Sequence, residues 1–133
     1  MPTIAELIEL LQRGARRLQA EAVAADRAGG EAERLRGESD AYLLLAQELG
    51  ECGDPVALLD ALFTMERAAT WMAQRDEEQS AKFDAQGNAS ASRFHAKGAR
   101  YAHGLVAGYS QARILLGTSS ARTGRERGVD RRG

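Results

Sequence analysis

The sequence predicts an all-α protein, a small four-helix bundle built from two similar helical hairpins. Three observations support this fold class. The 133 residues include 25 alanines and only two prolines, and the other common residues are Leu, Arg and Glu, all good helix formers. Apolar residues recur at steps of three and four, whereas no segment alternates as a strand would. The third observation is a weak internal repeat.

The repeat relates the two halves of the chain at a spacing of 58 to 59 residues. Ala15, Arg17, Asp26, Gly29, Ala32, Arg34 and Tyr42 recur as Ala73, Arg75, Asp84, Gly87, Ala91, Arg93 and Tyr101, with one residue inserted after Gly87. These are seven identities over 28 aligned positions, where this composition gives roughly three by chance. The repeat predicts two copies of one unit: helix, glycine-containing turn, helix.

The first hairpin is predicted over residues 4–50. Thr3 and Glu6 form a capping box at the start of a helix spanning about 4–27. The Gly29-Gly30 pair is the expected turn. The second helix, about 31–50, has an inner stripe of Leu35, Ser39, Tyr42, Ala46 and Leu49, and its end is predicted at Gly50 and Gly53.

The second hairpin is predicted over residues 55–116. Asp54 can cap the third helix, and Pro55 suits its first position. This helix is apolar on more than one side: Leu58, Leu62, Met65, Ala69 and Met72 form one stripe, Val56, Leu59 and Phe63 another, and Trp71 lies outside both. Such a helix is either central in its bundle or covered by another subunit.

The fourth helix should follow a turn at 86–88, where Asn88 or Ser90 can cap it, and should run to about Leu116 before Gly117. Its predicted inner stripe is Phe94, Gly98, Tyr101, Leu105, Gly108, Ala112 and Leu116. Residues 1–117 then form the helical domain, and residues 118–133 a disordered basic tail.

If the glycine-containing turns stayed helical, two very long helices would result. Each glycine costs about 1 kcal/mol inside a helix, which favours four helices.

Charge is distributed unevenly along the chain. Residues 1–84 hold seventeen acidic and nine basic side chains, whereas residues 85–125 hold no acidic side chain. Arg93, Lys97, Arg100 and His103 follow helical spacing and share one face of the fourth helix. This face is a candidate site for phosphate groups, with Tyr101 or His103 near enough to stack on a base. The alternative is that it pairs with the acidic side chains of the second and third helices.

Small residues and exposed aromatic residues point to association. Gly104, Gly108 and Ala112 form a ladder that allows close helix contact, either within the bundle or across a two-fold axis. Together with Phe63 and Trp71, the two glycines are the candidate oligomer interface. A domain with many alanines and only seven aromatic residues gains little from burial, and oligomerisation would compensate.

No catalytic, metal or cofactor motif is found. A di-iron bundle needs Glu-x-x-His on two helices, but His95 and His103 have no acidic residue three or four positions before them. Cys52 has no second cysteine and no neighbouring histidine to activate it. The sequence contains no signal peptide pattern and no apolar run of membrane-spanning length. We therefore expect a cytoplasmic protein that is not an enzyme and binds no cofactor or metal.

The function predicted from these patterns is that of a non-enzymatic helical interaction or assembly protein, a homo-oligomeric adaptor or a phage or bacterial accessory factor. Sixteen of the 18 basic residues are arginine, which is typical of a GC-rich genome. The alternative is a module that binds an anionic ligand, a nucleotide or RNA, at the basic face of the fourth helix. The net charge of −1 argues against non-specific DNA binding.

Overall fold

The computed structural model describes residues 2–28 and 31–132, with side chains for residues 2–26 and 31–117. The described residues form four helices and no strand, so the predicted all-α fold is confirmed. The helices are α1 (Ile4–Ala28), α2 (Ala32–Cys52), α3 (Pro55–Ala85) and α4 (Ala89–Arg132).

The starts of α1, α3 and α4 follow capping residues of the sequence, whereas α2 begins after Glu31, which makes no side-chain cap hydrogen bond. The backbone N–H of Glu6 donates to Thr3 Oγ at 3.1 Å at the start of α1. Asp54 caps α3 through a 3.0 Å bond from the Val56 N–H to its Oδ1. Likewise, the Ala91 N–H donates to Asn88 Oδ1 at 3.1 Å at the start of α4. In each case a side-chain oxygen satisfies an N–H that has no partner within the helix.

The helix ends differ from the prediction where a glycine keeps helical geometry. Gly50 stays inside α2, which ends at Gly53, in the left-handed conformation with φ 64°. Gly87, with φ 76°, forms the turn after α3. Gly117 has no positive φ, and α4 is assigned beyond it to Arg132. The predicted disordered tail, 118–133, lies outside the residues described with side chains.

The helices pack mainly in the order α1, α2, α4, α3. α1 packs on α2 and α3 on α4, as the two predicted hairpins require, and α2 and α4 join the hairpins in the middle of the molecule. All four helices contribute to one core. Its largest fully buried side chains include Leu7, Leu45, Leu49, Leu62 and Leu116.

Glycines bring α2 and α4 close together. Gly37 faces the backbone of Tyr101 and Leu105, and Gly104 faces the backbone of Arg34 and Glu38. One turn further along, Gly108 lies against Glu38 and Ala41. Residue numbers increase together along both helices, so α2 and α4 are parallel. We call the contact of Gly37, Gly104 and Gly108 with the facing helix the glycine seam.

The glycine seam shows which surface the predicted ladder of small residues contacts. Gly104 and Gly108 are buried against α2 of the same chain, as one of the two sequence alternatives required. Their assignment to an oligomer interface is therefore corrected. No Cβ at Gly104 could avoid the Arg34 carbonyl, so a second subunit has no room at this position.

Most residues of the predicted inner stripes of α3 and α4 are at least partly buried, but Met72 of α3 is 43% exposed and the stripe of α4 is exposed at its start. Leu105, Gly108, Ala112 and Leu116 are buried as predicted, whereas Phe94 is 73% exposed. The contact between α2 and α4 begins near Arg100, which pairs with Glu33 at the start of α2. Phe94 precedes this level by more than one helical turn, so α2 does not cover it.

Candidate functional site

The outer face of α3 leaves large apolar side chains uncovered. Val56 and Trp71 are each 58% exposed and Phe63 is 53% exposed. With Asp60 and Arg67 they follow steps of four and three, so the five lie on one face of the helix. We call these residues, 56, 60, 63, 67 and 71, the outer stripe.

The opposite side of α3 is its packed side. Leu58, Leu62 and Ala69 are buried, and α3 contacts α4 along its length but α2 only slightly. The helix therefore lies at the side of the bundle, and a central position, one of the two sequence alternatives, is excluded.

Phe63 and Trp71 border a shallow groove of about 350 Å³. An arginine lies over each ring: the guanidinium carbon of Arg113 is 4.9 Å from the centroid of Phe63, and that of Arg75 is 5.3 Å from Trp71. Both distances are within the range of cation–π attraction. The remaining groove residues are Glu66, Arg67, Thr70 and Gln74.

Arg113 of α4 is held at the edge of this groove by Glu66. Its Nε lies 3.4 Å from Glu66 Oε2, which is an ion-pair distance. The geometry does not make this contact a hydrogen bond, and the buried Nε has no hydrogen-bond partner. The ion pair uses the charge of Glu66 within the chain. Asp60 and Arg67 are then the charges between residues 56 and 71 that point outward.

The residues flanking the outer stripe are small. Exposed alanines and threonines occupy these positions: Ala57, Ala61, Thr64, Ala68 and Thr70. Small side chains beside a stripe of large ones allow another helix to approach closely. The outer face of α3 thus has the composition of a helix-packing surface.

The basic face of α4 is partly neutralised by the acidic helices. Arg100 Nε lies 3.7 Å from Glu33 Oε2, and His103 Nε2 contacts Glu77 Oε1. These are the partners that the alternative interpretation of the charge pattern named. Arg93 and Lys97 are exposed, and neither has a carboxylate partner among the described side chains. The structure thus divides the predicted set of four into two paired and two unpaired cations.

Tyr101 is engaged in a hydrogen bond that sequence analysis did not anticipate. Its hydroxyl donates to Asp40 Oδ2 of α2 at 2.6 Å. Burial first, and then this bond and the Asp40 charge, raise the pKa of Tyr101 from 10.0 to about 12. The two residues are 61 positions apart, so no local pattern links them. Because its hydroxyl is tied to Asp40, Tyr101 is not a free stacking platform.

The hairpin of α3 and α4 is closed by polar pairs near its turn. Ser80 Oγ donates to the Ser92 carbonyl at 2.8 Å, and Ser92 Oγ returns a bond to the Ser80 carbonyl at 2.9 Å. His95 Nδ1 lies 2.9 Å from Asp76 Oδ1, and its ring stacks on Phe83 at 5.4 Å. Both serine hydroxyls donate to backbone carbonyls, so neither donates its proton to a base that would activate it as a nucleophile.

In the described part of the chain, His, Cys, Asp and Glu form no group of three or more that could hold a metal ion. No helix in the described ranges combines the length and the apolar character needed to cross a membrane. Cys52 is exposed, with its Sγ 3.6 Å from the Asp54 carbonyl oxygen.

The chain was compared with known proteins by sequence and by fold. No protein family, curated protein or solved structure matches it.

Proposed function

We propose that this chain is a non-enzymatic helical interaction protein that self-associates, and that the outer stripe of α3 is its interface. The observation that supports the proposal is the exposure of Phe63 and Trp71, both more than half uncovered on one helix face. A small assembly component or accessory factor fits such a surface. The unpaired Cys52 supports a reducing compartment, the cytoplasm.

The distribution of aromatic residues strengthens the case. The chain has seven aromatic side chains, and three of them (Phe63, Trp71 and Phe94) are exposed. Aromatic side chains are the largest contributors to burial, and the core cluster of this chain contains one of them, Tyr109, among leucines and alanines. An apolar helix face that is not central in its own bundle gains this burial from a partner.

The exposed apolar area of the outer stripe indicates how tightly the dimer should bind. Since an aromatic side chain buries 150–250 Å², Phe63 and Trp71 together offer roughly 200 Å² per chain. This is well below the about 800 Å² per partner of a standard interface. We therefore expect a reversible dimer with a dissociation constant on the order of micromolar.

Association should be visible as a change in mass and in fluorescence. Sedimentation equilibrium over a wide range of protein concentration should show monomers converting to dimers. Trp71, the single tryptophan, should lose solvent contact in the dimer, and its emission should shift to shorter wavelength as the concentration rises. A strict monomer with unshifted Trp71 emission at every concentration would contradict the proposal.

A matched pair of variants tests the location of the interface. Phe63→Ser should weaken the dimer at least tenfold, because it removes apolar area from the centre of the patch. Phe94→Ser removes a more exposed phenylalanine from α4, outside the stripe, and should leave the dissociation constant unchanged. If Phe94→Ser weakened the dimer and Phe63→Ser did not, the interface would lie on α4.

An anionic ligand is the second candidate, favoured by the two unpaired cations Arg93 and Lys97 beside the exposed Phe94. Such a group combines phosphate contacts with an aromatic ring for stacking. Titration with a short single-stranded RNA and with ATP tests it, comparing wild type with Arg93→Glu/Lys97→Glu. Arg100 and His103 are engaged with carboxylates, so they contribute less than the unpaired cations.

A further inference from the structure

We infer that two copies of this chain pair α3 against α3 in antiparallel orientation, about a two-fold axis at Phe63 and Thr64. This inference rests on the proposed self-association and adds its geometry. It follows from the position of the two outward charges of the outer stripe, from the placement of its apolar residues, and from the small residues beside it.

The charges decide between parallel and antiparallel pairing. Asp60 and Arg67 are the outward charges between residues 56 and 71, since Glu66 is paired with Arg113. In a parallel pair in register, Asp60 would face Asp60 and Arg67 would face Arg67. In an antiparallel pair, Asp60 of each copy faces Arg67 of the other, and two ion pairs form.

The same alignment places the apolar residues opposite each other. Asp60 and Arg67 are equally distant from the midpoint between Phe63 and Thr64, and so are Val56 and Trp71. The two-fold axis therefore brings the Phe63 rings together at the centre and sets Val56 of each copy against Trp71 of the other. An isologous interface requires this self-complementarity.

The flanking residues permit the approach. Ala57, Ala61 and Ala68 are exposed, and none of them projects beyond its Cβ. The paired segment, residues 56–71, is about 22 Å long at 1.5 Å per residue, which is four turns of helix. An interface of four turns has room for the ion pairs, the apolar contacts and the close approach at the small residues.

Charge reversal tests the register. Asp60→Arg and Arg67→Asp should each weaken the dimer roughly tenfold, because two attractions become two repulsions. The double variant Asp60→Arg/Arg67→Asp should recover the wild-type dissociation constant. A mixture of the two single variants should form heterodimers in preference to either homodimer.

The controls match the change in net charge. Glu48→Arg and Arg16→Asp alter exposed residues of α2 and α1 by the same charge as the test variants, and both should leave dimerisation unchanged. If Asp60→Arg behaved as Glu48→Arg does, or if the double variant stayed weak, the proposed register would be overturned. Loss of the dimer in Phe63→Ser would still support the surface, so the two failures are distinguishable.

Cross-linking gives an independent readout. In a Cys52→Ser background, Thr64→Cys lies at the axis and should yield a covalent dimer with a short bismaleimide. Gln74→Cys, on the same helix, would be about 31 Å from its symmetry mate along the axis and should not react with it. Equal cross-linking at both positions indicates parallel helices and would overturn the inference.

Discussion

At the scale of single residues, the hydrogen bond between Tyr101 and Asp40 is the polar contact with the clearest consequence. It joins α4 to α2 at 2.6 Å beside the glycine seam, where the two backbones are already close. The bond favours the protonated phenol, because an ionised Tyr101 could not donate and would be repelled by the Asp40 charge.

We expect Tyr101→Phe to lower the free energy of unfolding by roughly 1–2 kcal/mol near neutral pH, since Asp40 loses its donor. The folded-state pKa of Tyr101, about 12, exceeds the ordinary value of 10.0, so its contribution is complete below pH 10 and is lost as pH rises towards 12. The difference in stability between wild type and Tyr101→Phe should therefore shrink over this range. Urea denaturation at several pH values measures it, and a constant difference from neutral pH to pH 12 would contradict the assignment.

The sequence predicts some of these residue contacts. The acid-free segment 85–125 and the acidic helices predict pairing, and Arg100 with Glu33 and His103 with Glu77 are examples. That Tyr101 donates to Asp40 could not be predicted from the sequence. The partner depends on how far α2 and α4 are offset along their axes, and these two helices are not consecutive in the chain. The exposure of Phe94 has the same origin: its periodicity is that of an inner residue, but α2 begins too late to cover it.

At the scale of the helices, glycine has two distinct roles. Gly53 and Gly87 end helices through positive φ, and the residues of the glycine seam permit close packing inside helices. The capping residues predict the starts of α1, α3 and α4, but the sequence does not separate these two roles of glycine, and it indicates both Gly50 and Gly53 as the end of α2.

The two roles predict opposite effects of alanine. Gly37→Ala places a Cβ against the Tyr101 carbonyl oxygen and should destabilise the fold by about 1–3 kcal/mol, because backbone must move. Gly50→Ala is the matched control in the same helix. Its Cβ would meet only Ile8 Cδ1, at 3.8 Å, so it should stabilise the protein by up to about 1 kcal/mol. Chemical denaturation followed by circular dichroism measures both, and a stabilising Gly37→Ala would disprove the close contact.

At the scale of the whole molecule, the arrangement of hairpins explains the exposed face of α3. The internal repeat predicted two hairpins, and α1 packs on α2 as α3 packs on α4. The repeat does not say which helices join them. Since α2 and α4 form that contact, α1 and α3 are left at the two sides, and the outer stripe of α3 faces outward.

The glycine seam also has a consequence for the order of folding. Each hairpin joins helices that are adjacent in sequence, so its contacts form over short loops. The seam joins Arg34 to Gly104, and closing it requires about 70 residues of chain to be brought together. We therefore expect the hairpins to form before they dock, so that both surfaces of the glycine seam stay exposed to solvent until α2 and α4 meet.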